Sequence, residues 1–81
     1  MSRPQLTVFV REGCGLCEEM VEALEPWRER YGFDLLLRDV DAERELFDRY
    51  NELVPVLAAG DDEICHYFLD PAALERYFST L

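Results

Sequence analysis

Basic residues are scarce in this chain. Eight arginines and lysines stand against eighteen aspartates and glutamates, a formal charge of -10 over 81 residues. Nucleic acids and anionic membranes both require a basic face, so this balance argues against either as a partner. The same field repels small anionic substrates at long range unless a local cation offsets it. Long apolar runs are missing too, with nothing near the ~20 residues of a membrane span. The first such run follows Met1-Ser2-Arg3-Pro4-Gln5 and is broken at Arg11 and Glu12. It reads as a strand rather than a secretory leader, and a cytoplasmic location is expected. Cysteine is sparse and odd in number, with three residues. A secreted disulfide scaffold carries more, at wider spacings. The length suits one small domain over 1–81, and 49 % hydrophobic residues provide enough apolar material for it to fold alone as a monomer.

Against that background one motif stands out. Cys14-Gly15-Leu16-Cys17 directly follows the apolar run Leu6-Thr7-Val8-Phe9-Val10. A disulfide between residues so close in sequence removes little entropy from the unfolded chain, so the pair is of little use as a staple. As a redox couple it makes sense. At a strand-to-helix junction the first sulfur sits over the positive end of a helix, where its thiolate is stabilised. The second lies one turn on, within reach of a mixed disulfide formed by the first.

Hydrophobic periodicity sets the elements. Residues 6–10 read as a buried strand bounded by Pro4 and Gly13. From Leu16 to about Tyr31, the positions Leu16, Met20, Ala23, Leu24, Trp27 and Tyr31 recur at helical spacing. Pro26 lies inside that helix, predicting a kink or two helical pieces. Gly32 suits a left-handed cap. Residues 33–37 form a second strand, and the unbroken Leu35-Leu36-Leu37 predicts a strand covered on both faces. Asp39 or Asp41 can cap a helix whose apolar positions are Leu46, Phe47 and Tyr50. Val54-Pro55-Val56-Leu57-Ala58 is a third strand, and Gly60-Asp61-Asp62 turns it into a fourth at 63–67. Asp70-Pro71 starts a last helix that packs through Leu74, Tyr77, Phe78 and Leu81. The order is β-α-β-α-β-β-α, an α/β fold in which a parallel crossover is followed by an antiparallel hairpin.

This order, the CxxC after the first strand and the Val54-Pro55 pair about forty residues later together resemble the thioredoxin superfamily, and most of all its small glutaredoxin-like branch. The resemblance runs from about Leu6 to Phe78 and implies a four-stranded mixed sheet flanked by helices. Carried over by position, Cys14 matches the family's nucleophile, Cys17 its resolving thiol and Pro55 its cis-proline. Val54 then offers its backbone to an extended substrate. Arg11 falls where many glutaredoxins place a lysine that helps hold glutathione and stabilise the thiolate. Other positions depart from the pattern. Gly15 and Leu16 replace the usual proline and tyrosine, and Gly13 stands where thioredoxins have tryptophan. No acid lies on the strand before the motif, and His66-Tyr67-Phe68-Leu69-Asp70 replaces the glycines and acids that hold glutathione.

The resemblance implies an enzyme, a dithiol oxidoreductase that reduces protein or small-molecule disulfides, with a role in cell redox homeostasis and electron transport. Protein partners are favoured, because the glutathione-holding residues are incomplete and the net charge is unfavourable. No bound cofactor is expected; glutathione or a flavoprotein reductase would restore the dithiol. Arg11 and the helix start favour the Cys14 thiolate while Glu12, Glu18 and Glu19 oppose it, predicting a moderately acidic thiol. Leu16, Val54 and Tyr67 are candidates for an apolar rim around the pair.

Cys65-His66 nominally completes four zinc ligands, but adjacent strand residues point to opposite faces, so no metal site is expected there. Cys65 reads as packed and inert. The alternatives are a metal or iron–sulfur module using the same thiolates and a redox-silent interaction module on the same scaffold.

Overall fold

A computed structural model describes residues 3–80, so the expected packing of Leu81 lies outside the described residues. The chain runs through β1 (Gln5–Val10), α1 (Gly15–Tyr31), β2 (Asp34–Asp39), a 3-10 turn (Val40–Ala42), α2 (Arg44–Tyr50), β3 (Val56–Ala59), β4 (Asp62–His66) and α3 (Pro71–Ser79). The expected element order is therefore observed, with the short turn added before α2. The four strands form one mixed sheet in the order β2-β1-β3-β4. β1 pairs in parallel with β2 and antiparallel with β3, which pairs antiparallel with β4.

β1 is central and covered on both faces, and Leu6, Val8 and Phe9 are its buried apolar residues. Leu6 and Val8 are fully buried among Met20, Leu24, Phe33, Leu57, Cys65 and Leu74, the core between the sheet and helices α1 and α3. Phe9 points the other way, into a smaller cluster with Val40, Tyr50, Val56 and Ala58. Its ring stacks on Tyr50 at 4.4 Å between centroids. Tyr31 from the end of α1 and Phe78 of α3 stack at 4.3 Å and close the far end of the larger core.

β2 corrects the expectation of a strand covered on both faces. It is an edge strand, and Leu36 and Leu37 are 43 % and 51 % exposed. An unbroken leucine run cannot by itself distinguish a central strand from an uncovered edge, since helix placement decides which faces are covered.

α1 runs through Pro26 as one helix of 17 residues, not two pieces. Pro26 and Glu22 both lie on the exposed side. Water there can satisfy the Glu22 carbonyl that proline leaves unpaired, which lowers the cost of keeping the helix continuous. The buried positions are Cys17, Met20 and Leu24; Ala23 faces solvent and is not part of the stripe. Gly32 ends the helix at φ 68°, a left-handed cap in which its N–H donates to the Arg28 carbonyl at 2.8 Å.

Asp39 caps the 3-10 turn rather than α2, accepting from the Asp41 N–H at 2.9 Å. α2 begins after Glu43, which makes no side-chain cap. At α3 the reading from sequence is met closely: Asp70 accepts from the N–H groups of Ala72 and Ala73, with Pro71 in the first turn.

Candidate active site: a dithiol at the mouth of the first helix

Cys14 is the N-cap residue of α1, at φ -96° and ψ 105°. It follows the turn Glu12-Gly13, where Gly13 takes φ 77°. A Cβ there would meet nothing within 4 Å, so the backbone angle rather than crowding favours glycine. Cys17 occupies the first turn of the helix and is 3 % exposed, whereas Cys14 is half-buried. The two form a disulfide with a Cα–Cα separation of 5.2 Å, inside the ordinary range for such bonds. The Cys17 N–H donates to the Cys14 Sγ at 3.1 Å. In the reduced protein the same donor and the helix terminus favour negative charge on that sulfur.

The proline segment reaches the same end of the sheet. β3 pairs antiparallel with β1 through Phe9 and Val56, so Pro55 lies one step further, level with Val10. From Val10 the chain passes through Arg11, Glu12 and Gly13 to Cys14. The Val54–Pro55 peptide is cis and Pro55 is buried. The third strand starts at Val56, not at Val54 where the sequence reading began it.

Arg11 is placed at a carboxylate. Its Nε lies 3.2 Å from Asp41 Oδ2, and its guanidinium stands 5.6 Å over the Phe47 ring. The parallel register explains this meeting. Val10 is the partner of Asp39, so the residues just beyond each strand, Arg11 and Asp41, come together. The charge of Arg11 is thus matched within the fold.

Of the three candidates for an apolar rim, Leu16 and Tyr67 line one recess of about 340 Å³ with Met20 and Phe68. Val54 does not join them. It packs against the cluster around Phe9 and Tyr50, on the α2 side of the sheet.

Tyr67 has a part that residue type alone gave no means of reading. It is the one non-glycine residue at positive φ (66°) among the described residues. A tyrosine in that conformation carries backbone strain and persists because its surroundings hold it there. Its N–H donates to the Pro55 carbonyl at 2.9 Å, and its hydroxyl donates to the Glu52 carbonyl at 2.8 Å. One residue therefore ties both ends of the 52–55 loop. No sequence signal short of the register of β4 would have located it.

Cys65 and His66 diverge, as the pleat of β4 requires. Cys65 is buried in the larger core as a free thiol, and burial pushes its pKa up, with the Asp70 and Glu63 charges adding to the rise and a backbone hydrogen bond from Asp70 opposing it. His66 is exposed, with Nδ1 2.6 Å from Glu63 Oε2. Among the described residues, no group of three or more histidine, cysteine or acidic side chains is placed to hold a metal ion.

The arrangement has relatives. Residues 5–79 match the family described as Glutaredoxin-like domain (DUF836). The chain belongs to that family. Its structure superposes on the solution structure of Ne2328 from Nitrosomonas europaea with a TM-score of 0.85, at 39 % identity over 95 % of this chain and 93 % of that one. The germline-specific thioredoxin Deadhead from Drosophila gives a TM-score of 0.61 at 23 % identity, over 99 % of this chain and 82 % of that one. That similarity speaks to the fold alone. An uncharacterized Mycobacterium tuberculosis protein, Rv0508, is 42 % identical over 41 residues, which are 51 % of this chain and 42 % of the relative. The match spans less than half the length of that relative. This is a thioredoxin-superfamily, glutaredoxin-like protein whose paired cysteines support a redox-type role. None of its helices is long and apolar enough to cross a membrane, among the described residues.

Proposed function

We propose that the glutaredoxin-like protein is a thiol–disulfide oxidoreductase that reduces disulfides of polypeptide substrates. The observation that supports this reading most directly is the asymmetry of the pair, with Cys14 half-exposed at the helix N-cap and Cys17 buried behind it. An attacking thiol must be reachable, whereas a resolving thiol needs only to reach its neighbour.

The steps balance as follows. Starting from the reduced dithiol, the Cys14 thiolate attacks one sulfur of the substrate disulfide. A Cys14–substrate disulfide forms, and the other substrate sulfur leaves as thiolate and takes up a proton. Cys17 then loses its proton and attacks Cys14 Sγ. The bond between Cys14 and the substrate breaks, the second substrate thiol is released, and the Cys14–Cys17 disulfide forms. Two electrons pass from the protein to the substrate.

Return to the dithiol takes two electrons from outside, either from two glutathione molecules that leave as their disulfide or from a flavoprotein reductase. The reductase route is preferred, because the chain carries a charge of -10 and its one arginine near the motif is matched by Asp41. The reducing cytosol is the setting that suits such recycling.

The test is a reductase-coupled assay on a disulfide-containing protein. Cys14→Ser is expected to remove turnover and Cys17→Ser to accumulate a mixed disulfide visible by mass spectrometry. Wild-type turnover in both variants would refute the reading.

A further inference from the structure

Exposed Leu37 of β2 borders a groove on the α1 face of the sheet. It has a volume of about 540 Å³ and lies between α1 and the outer edge of the sheet. Val10, Val21 and Leu37 supply an apolar lining, with buried Cys17 at one side and Glu18 and Glu22 along the α1 wall. The two glutamates are four residues apart, on one face of the helix, and repel each other. Among the described residues neither forms an ion pair, and no arginine lines the groove. Beside the groove, β2 pairs only with β1, so its other side presents unpaired backbone N–H and C=O groups.

From these features together we infer that the groove and the free edge of β2 form a docking surface for an extended, cationic segment of a partner polypeptide. Such a segment adds as a fifth strand about 4.8 Å outside β2, satisfying its open backbone groups. Every second side chain then lies on the face of Leu37. There an apolar side chain covers Leu37 and Val21, while a lysine or arginine two positions along, on the same face, reaches Glu18 and Glu22. The charge argues for this occupant over a second copy of the chain, since two copies would bring a formal charge of -10 each to the interface. The inference does not depend on the proposed activity, because docking needs no thiol.

The test is titration of the ¹⁵N-labelled full chain with the capped peptide Thr-Lys-Thr-Val-Thr-Lys-Thr, which puts lysine and valine on one face of a strand, and with the counterpart in which glutamate replaces lysine. The lysine peptide is expected to move the amide signals of Val10, Val21 and residues 35–37 in saturable fashion. Glu18→Gln with Glu22→Gln, exposed changes that leave the core intact, should weaken its affinity about threefold to tenfold, the scale of two exposed ion pairs. N-methylation of alternate peptide residues, which blocks strand pairing, should abolish the shifts. Equal binding of the glutamate peptide, or shifts confined to other surfaces, would overturn the inference. So would concentration-dependent shifts of residues 35–37 without peptide, which would identify a second copy as the occupant.

Discussion

Cys14 and Cys65 are the same residue in opposite settings. Cys14 caps a helix, half-buried, with a backbone N–H directed at its sulfur. Cys65 sits on β4 inside the larger core, among Leu6, Val8, Leu57 and Leu74, where burial pushes its pKa up. One setting favours the thiolate and leaves its sulfur partly exposed, while the other disfavours the thiolate and buries it. The difference teaches that thiol reactivity here is assigned by topology. β1 ends where α1 begins, and that junction places one sulfur at a positive helix end; the alternation of β4 places another in hydrocarbon.

The largest test of this contrast is turnover. Cys14→Ser should lower disulfide reduction to background, about a thousandfold or more, as removal of a nucleophile does. Cys65→Ala should leave kcat within about twofold of wild type, since the residue stands outside the chemistry and the cost falls on packing. Loss of turnover in the Cys65 variant, with the fold retained by circular dichroism, would break the contrast.

Alkylation sharpens it next. In the reduced protein at pH 7, iodoacetamide should modify Cys14 at least about tenfold faster than Cys65, because a helix-terminal thiol is reachable and more readily ionised while Cys65 is buried with its pKa raised. Mass spectrometry of the time course reads both sites in one sample. Comparable rates would mean that the core opens to reagent as readily as the helix mouth.

A smaller effect concerns alkaline stability. The Cys65 thiol is raised above its ordinary value of 9.0 by burial. The unfolded chain therefore releases that proton first, and between the two pKa values the unfolded state binds fewer protons than the folded one. Stability falls with pH in that window, by about 1.4 kcal/mol per pH unit at most from this group. Urea midpoints measured from pH 8 to 10 should decline more steeply for wild type than for Cys65→Ala.

How much of this was legible in the sequence depended on whether local chemistry or distant placement decided the outcome. The dithiol, the Gly32 cap and the Asp70-Pro71 start are local devices, and each lies where its residue types indicated. β1 and β2 show the limit. Both carry apolar runs, yet one is central and the other an edge, since nothing inside Leu35-Leu36-Leu37 encodes which faces the helices cover. Pro26 was legible as an irregularity but not in its consequence, which hinges on which side of α1 faces water. The partner of Arg11 was hidden for a third reason. Asp41 is 30 positions away, and only the parallel register of β1 with β2 brings it near.

Tyr67 provides the smallest test and the finest one. It contributes no sulfur and lies outside both cores, yet it holds the 52–55 loop at the end of the sheet from which the chain leads to Cys14. Tyr67→Phe removes one exposed hydrogen bond, the hydroxyl to the Glu52 carbonyl, and keeps the ring, the left-handed backbone and the N–H bond to Pro55. The expected cost to global stability is about 0.5 kcal/mol, the low end for a hydrogen bond that water can replace. Function should register the change differently from stability. Loosening the 52–55 loop disturbs how a substrate chain is received but not the sulfur that attacks it, so KM for a protein disulfide should rise while kcat holds. The Cys65 alkylation rate, set by the core, should not move at all. A variant in which KM stays fixed while Cys65 becomes reactive would place the role of Tyr67 in the core, and the helix mouth would then lack the separate support assigned to it.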